Sequence, residues 1–329
     1  MPLRNMSEKI SRLENILKER VLILDGAMGT MIQRYNLKEE DYRGEDWKNV
    51  ADSLQGNNDL LSVTRPEIIK EIHLAYLEAG ADIIETNTFS STTIAQADYN
   101  LSKDAYRLNV ESGKVARSAV KEYMNTHPGE MKFVAGAVGP TNKTGSISPD
   151  VNDPGFREIS FDQLREAYKE QVLGLIEGDV DIILIETVFD TLNAKAALYA
   201  TQEAFEETGI ELPIIVSGTI TDASGRTLSG QTAEAFLISL SHAPITAVGF
   251  NCALGASAML PYVETLKEKS DMFVSAYPNA GLPNEMGEYD QSALEMQKEL
   301  EPFIKKKVVN ILGGCCGTTP DHIREMKNL

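Results

Sequence analysis

The sequence predicts a single α/β domain folded as a (β/α)8 TIM barrel, with an N-terminal helix covering the bottom of the barrel. Three observations carry that prediction. Eight short runs rich in β-branched residues recur along the chain, at 21–24, 82–86, 133–138, 181–185, 214–217, 247–250, 273–276 and 308–312. Several are apolar without alternation, as parallel strands buried on both faces are. A helical stretch follows each of them, and 329 residues suit one barrel of this kind. The turn after the first run, Asp25-Gly26-Ala27-Met28-Gly29-Thr30, lacks the G-x-G-x-x-G spacing that a doubly wound nucleotide-binding sheet needs there.

The elements follow in order. Residues 7–17 are charged and amphipathic, so 1–19 read as a helical extension and 20–329 as the barrel. After the first strand comes 35–65, a long loop rich in Asn, Asp and Gly, of the length that serves as a functional lid. The helix 66–79 opens on Pro66 behind Thr64 and closes at Gly80. Helices at 104–123, 161–177, 191–208 (closed by Gly209), 232–241, 256–269 and 291–305 succeed it, and a short one starts at Pro320. Two joins, Ala79-Gly80-Ala81-Asp82 and Ile176-Glu177-Gly178-Asp179-Val180-Asp181, look like matching units of a repeat.

Composition excludes several classes. Thirty-one basic residues against 49 acidic ones give a net charge of −18, so a nucleic-acid groove or an anionic membrane surface is not a partner. No apolar run reaches the ~18–20 residues that span a bilayer, and the N-terminus lacks the apolar core of a secretory signal. The expected compartment is the cytoplasm, where three cysteines with an adjacent pair remain free thiols.

Barrel active sites form at the C-terminal ends of the strands. Read there, the strands end in Asp25-Gly26, Glu85-Thr86-Asn87-Thr88, Gly139-Pro140, Glu186-Thr187, Ser217-Gly218, Asn251-Cys252, Tyr277-Pro278-Asn279 and Gly313-Gly314-Cys315-Cys316-Gly317. All three cysteines gather at one rim. Three thiolates suit zinc, which takes tetrahedral sulfur ligands and in catalytic sites keeps one position open for a substrate. Three such charges on one divalent ion leave electron density on an incoming sulfur. The glycines at 313, 314 and 317 permit the backbone path that adjacent ligands demand. Buried cysteines more often act as small hydrophobes, but a Gly-Gly-Cys-Cys-Gly turn facing a third strand-end cysteine is not that pattern. Asp25 and Glu186 suit a substrate amino group; the alternative is that each caps a helix or pairs with a cation. Strand alternation leaves the direction of Glu85 open. His73, His127, His242 and His322 fall in helices or loops, and neither a triad histidine nor a G-x-S-x-G elbow is present. A Schiff-base lyase would need a lysine inside a strand, and only the edge residues Lys132 and Lys307 come near one.

At this point the motifs match a known family. Asp25-Gly26-Ala27-Met28-Gly29-Thr30, Glu85-Thr86-Asn87-Thr88-Phe89, Gly249-Phe250-Asn251-Cys252 and Gly313-Gly314-Cys315-Cys316-Gly317-Thr318 resemble the homocysteine S-methyltransferase family. Gly56-Asn57-Asn58-Asp59-Leu60-Leu61 and Arg226-Thr227-Leu228-Ser229-Gly230-Gln231-Thr232 look most like the homocysteine-binding module of cobalamin-dependent methionine synthase. The resemblance implies zinc-dependent methyl transfer to the thiol of homocysteine, giving methionine. It implies Cys252, Cys315 and Cys316 as zinc ligands, Asn279 as a fourth ligand without substrate, and Asp25 and Glu186 as partners of the homocysteine amino group. The backbone near Gly26 and Ser217 would hold the carboxylate or shape the pocket. The implied donor is methylcobalamin on a partner module, with cobalamin-binding and folate-binding modules on the same or another chain. The sequence stops at Leu329 without them, so the expectations are a split subunit, a truncated piece, or a stand-alone relative using S-methylmethionine or betaine. A binding module with a structural zinc is the remaining alternative.

Overall fold

The computed structural model describes residues 7–222 and 224–329; the first six residues of the expected 1–19 extension lie outside them. Eight parallel strands run in the order β1-β8-β7-β6-β5-β4-β3-β2. They are β1 (Leu22–Ile23), β2 (Ile83–Glu85), β3 (Phe133–Val138), β4 (Ile182–Val188), β5 (Ile214–Gly218), β6 (Ala247–Gly255), β7 (Phe273–Asn279) and β8 (Ile311–Leu312). A parallel bridge between Leu24 and Ile83, with the Asp25 N–H donating to the Ile83 carbonyl at 2.9 Å, closes β1 onto β2. The ring is a (β/α)8 barrel.

Side chains alternate along each strand and so form two cores. Leu22, Leu24, Ile83, Ala135, Ile182, Leu184, Ile215, Ala247, Tyr277 and Ile311 fill the inside. Ile23, Ile84, Val134, Ile183, Val216, Val248, Val274 and Leu312 face the helices outside. The Glu8–Glu19 helix, capped by the Ser7 hydroxyl, adds Leu13 and Leu17 to the inner cluster. Lys9 Nζ reaches the Val180 carbonyl at 2.9 Å, and Asn310 Nδ2 the Leu17 carbonyl at 3.3 Å. Both contacts lie just before strands, so this helix plugs the N-terminal end of the barrel.

Helix bounds at Phe161–Glu177, Thr191–Thr208 and Ala256–Lys269 coincide with the sequence reading. Capping signals explain the first two: a Ser160/Gln163 capping box starts one, and left-handed Gly209 ends the other. The strands differ more. β4, β6 and β7 run beyond residues 185, 250 and 276, because ladder pairing continues after the apolar pattern turns polar. β1 and β8 keep only two paired residues each.

The repeat has a physical basis. Asp82 and Asp181 each precede a strand and accept a backbone N–H from the neighbouring strand, Ile23 at 3.0 Å and Val134 at 2.9 Å. Their glycines do not correspond, however. Gly80 takes the left-handed turn in one unit, but Asp179 takes it in the other; Gly178 is there because the backbone of Gly113 passes too close for a side chain.

The 35–65 segment is bound down rather than free as a lid. Tyr42, Trp47, Leu54, Leu60 and Leu61 are buried in the outer core. Asp59 accepts from Ser90 N–H and Ser91 Oγ at 2.8 and 2.7 Å, and Asn87 Nδ2 donates to the Asn58 carbonyl at 2.8 Å. No helix among the described residues is long and apolar enough to cross a membrane.

Candidate active site

The thiols come from two arms of the barrel mouth. β6 continues past Phe250, and its backbone then turns left-handed at Cys252 (φ 58°) and Ala253 (φ 56°), where its register with β7 shifts. After β8 the cysteine turn is tied to β7 on both sides of Asn279. Cys315 N–H donates to the Pro278 carbonyl at 2.8 Å, and Ala280 N–H to the Cys316 carbonyl at 2.9 Å. Thr318 Oγ1 donates to the Cys315 carbonyl at 2.6 Å, and Gly317 N–H to Thr30 Oγ1 at 3.1 Å. Of the three glycines only Gly317 uses a left-handed conformation (φ 81°). Gly314 is required by space: a Cβ there would lie 2.5 Å from Thr318. The conformational cost expected of the glycine turn therefore falls partly on Cys252 and Ala253 instead.

The three Sγ atoms lie within 4.8 Å of one another, with Cys252 and Cys316 at 3.7 Å. Tetrahedral zinc–thiolate bonds of ~2.3 Å put sulfurs about 3.8 Å apart, so the set fits such an ion. Hydrogen bonds from Cys252 and Cys315 push the Cys316 thiol down to about 3, while bonding to its two neighbours and burial push Cys315 up. A divalent cation among the three would favour the ionised form of each. Asn279, at the end of β7, is 2% exposed, and its Oδ1 has no hydrogen-bond partner. An orphaned buried amide oxygen, carried between two residues bonded to the cysteine turn, is a suitable oxygen ligand.

Three carboxylates face the same mouth. Glu186 shares the inward side of β4 with Ile182 and Leu184, and Glu85 shares that of β2 with Ile83, which resolves its direction. Asp25 Oδ2 accepts the Glu85 N–H at 3.0 Å, while its Oδ1 is buried with no partner. Burial, then the charge of Cys316, push Glu186 up to about 8. Burial and the other two carboxylates push Glu85 well above the usual range, and burial raises Asp25 the same way. Among the described residues no lysine or arginine pairs with any of the three. Such a pocket is complementary to a cation small enough to enter the barrel.

Gly26 must be glycine: a Cβ would sit 2.7 Å from Thr318 Oγ1 and 2.9 Å from the Tyr76 ring. The Tyr76 hydroxyl bridges the carbonyls of Ala27 and Thr318 at 3.1 and 3.2 Å, joining the Asp25 turn to the cysteine turn. Ser217 is fully buried, and its Oγ donates to Asn251 Oδ1 at 2.7 Å. Sequence reasoning passed over Asn251, which binds Thr187, Ser217 and Cys315 together. Its signal was available: an asparagine closing an apolar strand is disfavoured there unless its amide is used. His73 is buried in the Pro66–Glu78 helix and pushed down to about 3 by desolvation, and His322 is held by Thr319 and the Gln291 carbonyl.

Fold and site together define a class, the (β/α)8 barrels with three thiols gathered at the C-terminal rim. Residues 22–329 match the homocysteine S-methyltransferase family, and the chain belongs to it. Solved structures agree on the fold along the whole length. The homocysteine methyltransferase MmuM from Escherichia coli, in its metallated form, is 23% identical with a TM-score of 0.75, covering 98% of this chain and 99% of that one. Its oxidized form is 22% identical with a TM-score of 0.76 and the same coverage.

Proposed function

We propose that the barrel transfers a methyl group to the thiol of homocysteine, giving methionine, and that the resident metal is zinc held by Cys252, Cys315 and Cys316, with Asn279 as fourth ligand before substrate enters. The observation that carries this reading is the pairing, at one rim, of three sulfurs within 4.8 Å and a carboxylate pocket without a cation. Homocysteine has the two complementary groups, a thiol and an ammonium. When bound, zinc supplies an ionised substrate sulfur at neutral pH, where a free thiol (pKa roughly 8.5) is mostly protonated. Asp25 and Glu186 hold the ammonium and thereby aim the thiol. Gly26, through its close approach to Tyr76, and Ser217, through Asn251, shape the wall around the substrate carboxylate. No protein base is called for, in keeping with histidines that sit in helices or just after them. Free thiols of this kind persist in a reducing compartment, and the cytoplasm is the one we propose.

The proposed donor is methylcobalamin carried by a separate domain or chain. Support comes from the rim. Phe89, Val151, Phe156, Leu228, Leu282 and Met286 are exposed large apolar residues, and all lie on loops that follow strands. Apolar residues clustered on one face mark a surface for a macromolecule. The test supplies homocysteine with methylcobalamin, S-methylmethionine or betaine in turn and measures methionine. Methionine from methylcobalamin is the expected result; methionine only from one of the other two would overturn the donor. Zinc whose X-ray absorption spectrum is unchanged by homocysteine would make the site structural and the barrel a binding module.

A further inference from the structure

Asn251 stands at the junction of the two halves of the site. It is fully buried, and its carboxamide meets three other elements. Oδ1 accepts from the Thr187 N–H at 3.0 Å and from Ser217 Oγ at 2.7 Å. A backbone N–H can only donate, so this fixes which end of the amide is oxygen. Nδ2 must therefore face Thr187 Oγ1, at 2.8 Å, and Cys315 Sγ, at 3.9 Å. Thr187 follows Glu186 and has φ 55°, a conformation that a β-branched residue adopts only when its surroundings enforce it. The register of β4 against β5 shifts at the same place, between Ile185 and Val188. The N–H and the hydroxyl of Thr187 both end on one side chain, that of Asn251. The same amide reaches the sulfur of a cysteine on the far side of β8.

We propose that Asn251 is a positioning residue that sets the separation of Glu186 from Cys315, and so matches the site to the distance between the amino and thiol groups of its substrate. The inference rests on the homocysteine reading above. Glu186 lies on β4 and Cys315 in the turn after β8, two strands that do not neighbour one another, so ladder hydrogen bonds do not set their spacing directly. Recognition at two ends fails when that spacing drifts by an ångström or so. The amide also places an N–H donor against Cys315, as outer hydrogen bonds orient metal-ligating groups.

The test compares two thiols on the full chain loaded with cobalt(II), whose thiolate charge-transfer band reports a new sulfur ligand. One thiol is homocysteine; the other is 4-sulfanylbutanoate, which keeps the thiol and carboxylate and lacks the amine. The unsubstituted protein is expected to respond to homocysteine at a concentration at least about 10-fold lower. In Asn251→Ala that preference falls below about 2-fold, because homocysteine weakens and the amine-free thiol does not, while metal content stays near one per chain. Should Asn251→Ala fail to fold or to hold metal, Thr187→Val, which deletes only the Oγ1 contact, carries the same comparison with a loss of about 2- to 5-fold. An undiminished preference in the folded variant overturns the role of Asn251 alone. A spectrum that answers neither thiol in the unsubstituted protein overturns the homocysteine reading, and this inference with it.

Discussion

Asp25 and Asp82 flank opposite ends of the same barrel, and each is 2% exposed. Their surroundings could hardly differ more. Asp82, at the N-terminal end, takes a two-pronged contact from Arg20 at 2.7 and 3.0 Å and the Ile23 N–H at 3.0 Å, with Lys327 and Lys132 at 3.5 and 3.7 Å. Burial alone would raise its pKa, but these partners more than offset it and hold the carboxyl below the usual range. Asp25, at the C-terminal end, has one backbone donor and two carboxylate neighbours, and is pushed up. One end of the barrel neutralises its buried charge with its own residues; the other, among the described residues, brings no cation to its carboxylates, and in the proposed function the substrate ammonium supplies one. The lesson is that burial of a charge does not mark a site, whereas burial without compensation does.

The largest test of the contrast is at the sulfurs. Cys315→Ala or Cys252→Ala should drop metal from about one to below a tenth per chain, with turnover reduced at least ~10³-fold, read by elemental analysis and methionine formation. A Cys315→Ala protein that keeps both would contradict the assignment of Cys315 as a ligand of the reacting metal. The aspartates come next. Asp82→Ala takes the shared acceptor from Arg20, the Ile23 N–H and Lys132, which keeps Glu130 at 3.0 Å, and should cost about 1.5–3 kcal/mol in urea unfolding. Asp25→Asn should cost almost nothing there, yet raise KM for homocysteine about 10- to 100-fold, the worth of a charged hydrogen bond. Equal losses of stability in the two variants would erase the distinction between the ends.

How far the sequence foretold this difference varies along the chain. The barrel was legible because apolar runs repeat eight times with helical stretches between them, and some helices, such as Thr191–Thr208, end on a local signal. The rim was legible as a place where strands turn polar. The direction of Glu85 was not, because the run 82–86 has only two apolar residues, Ile83 and Ile84, one on each face. Nor were the left-handed Thr187, Cys252 and Ala253 visible, since tertiary contacts rather than residue type enforce those angles. The amide of Asn251 at the end of an apolar strand was a visible signal, but its partner Thr187 depended on those angles and stayed hidden with them. Zinc was read from the three cysteines at strand ends, whereas homocysteine and the cobalamin donor came from motif resemblance, not from composition or spacing.

A smaller effect sharpens the comparison through pH. A carboxyl raised in the folded state keeps a proton that the unfolded chain gives up above about pH 4. Stability therefore falls as pH climbs from there towards the folded-state value, the reverse of Asp82, whose contribution is present above pH 4 and lost as pH falls through its lowered value. Glu85→Gln removes part of that fall. In the metal-free, substrate-free protein it should raise the melting temperature by about 2–4 °C at pH 7.5 and by almost nothing at pH 4, as scanning calorimetry would register. A variant destabilised at pH 7.5 would mean that Glu85 is compensated after all.

The smallest expected effect concerns the rim beyond the pocket. Leu282 and Met286 stand 64% and 87% exposed on the loop after β7, the loop that follows Asn279. Glu substitutions at both touch neither a sulfur nor a carboxylate of the pocket, so metal content and use of free methylcobalamin should not change. If a second protein surface brings the donor, the same double variant should lower methyl transfer from protein-bound methylcobalamin about 3- to 10-fold, through KM rather than kcat, since rim contacts mostly govern encounter. Equal rates with the protein-bound donor would leave this loop as exposed apolar surface without a partner, and the open end of the barrel would then owe its lack of compensation to the small substrate alone.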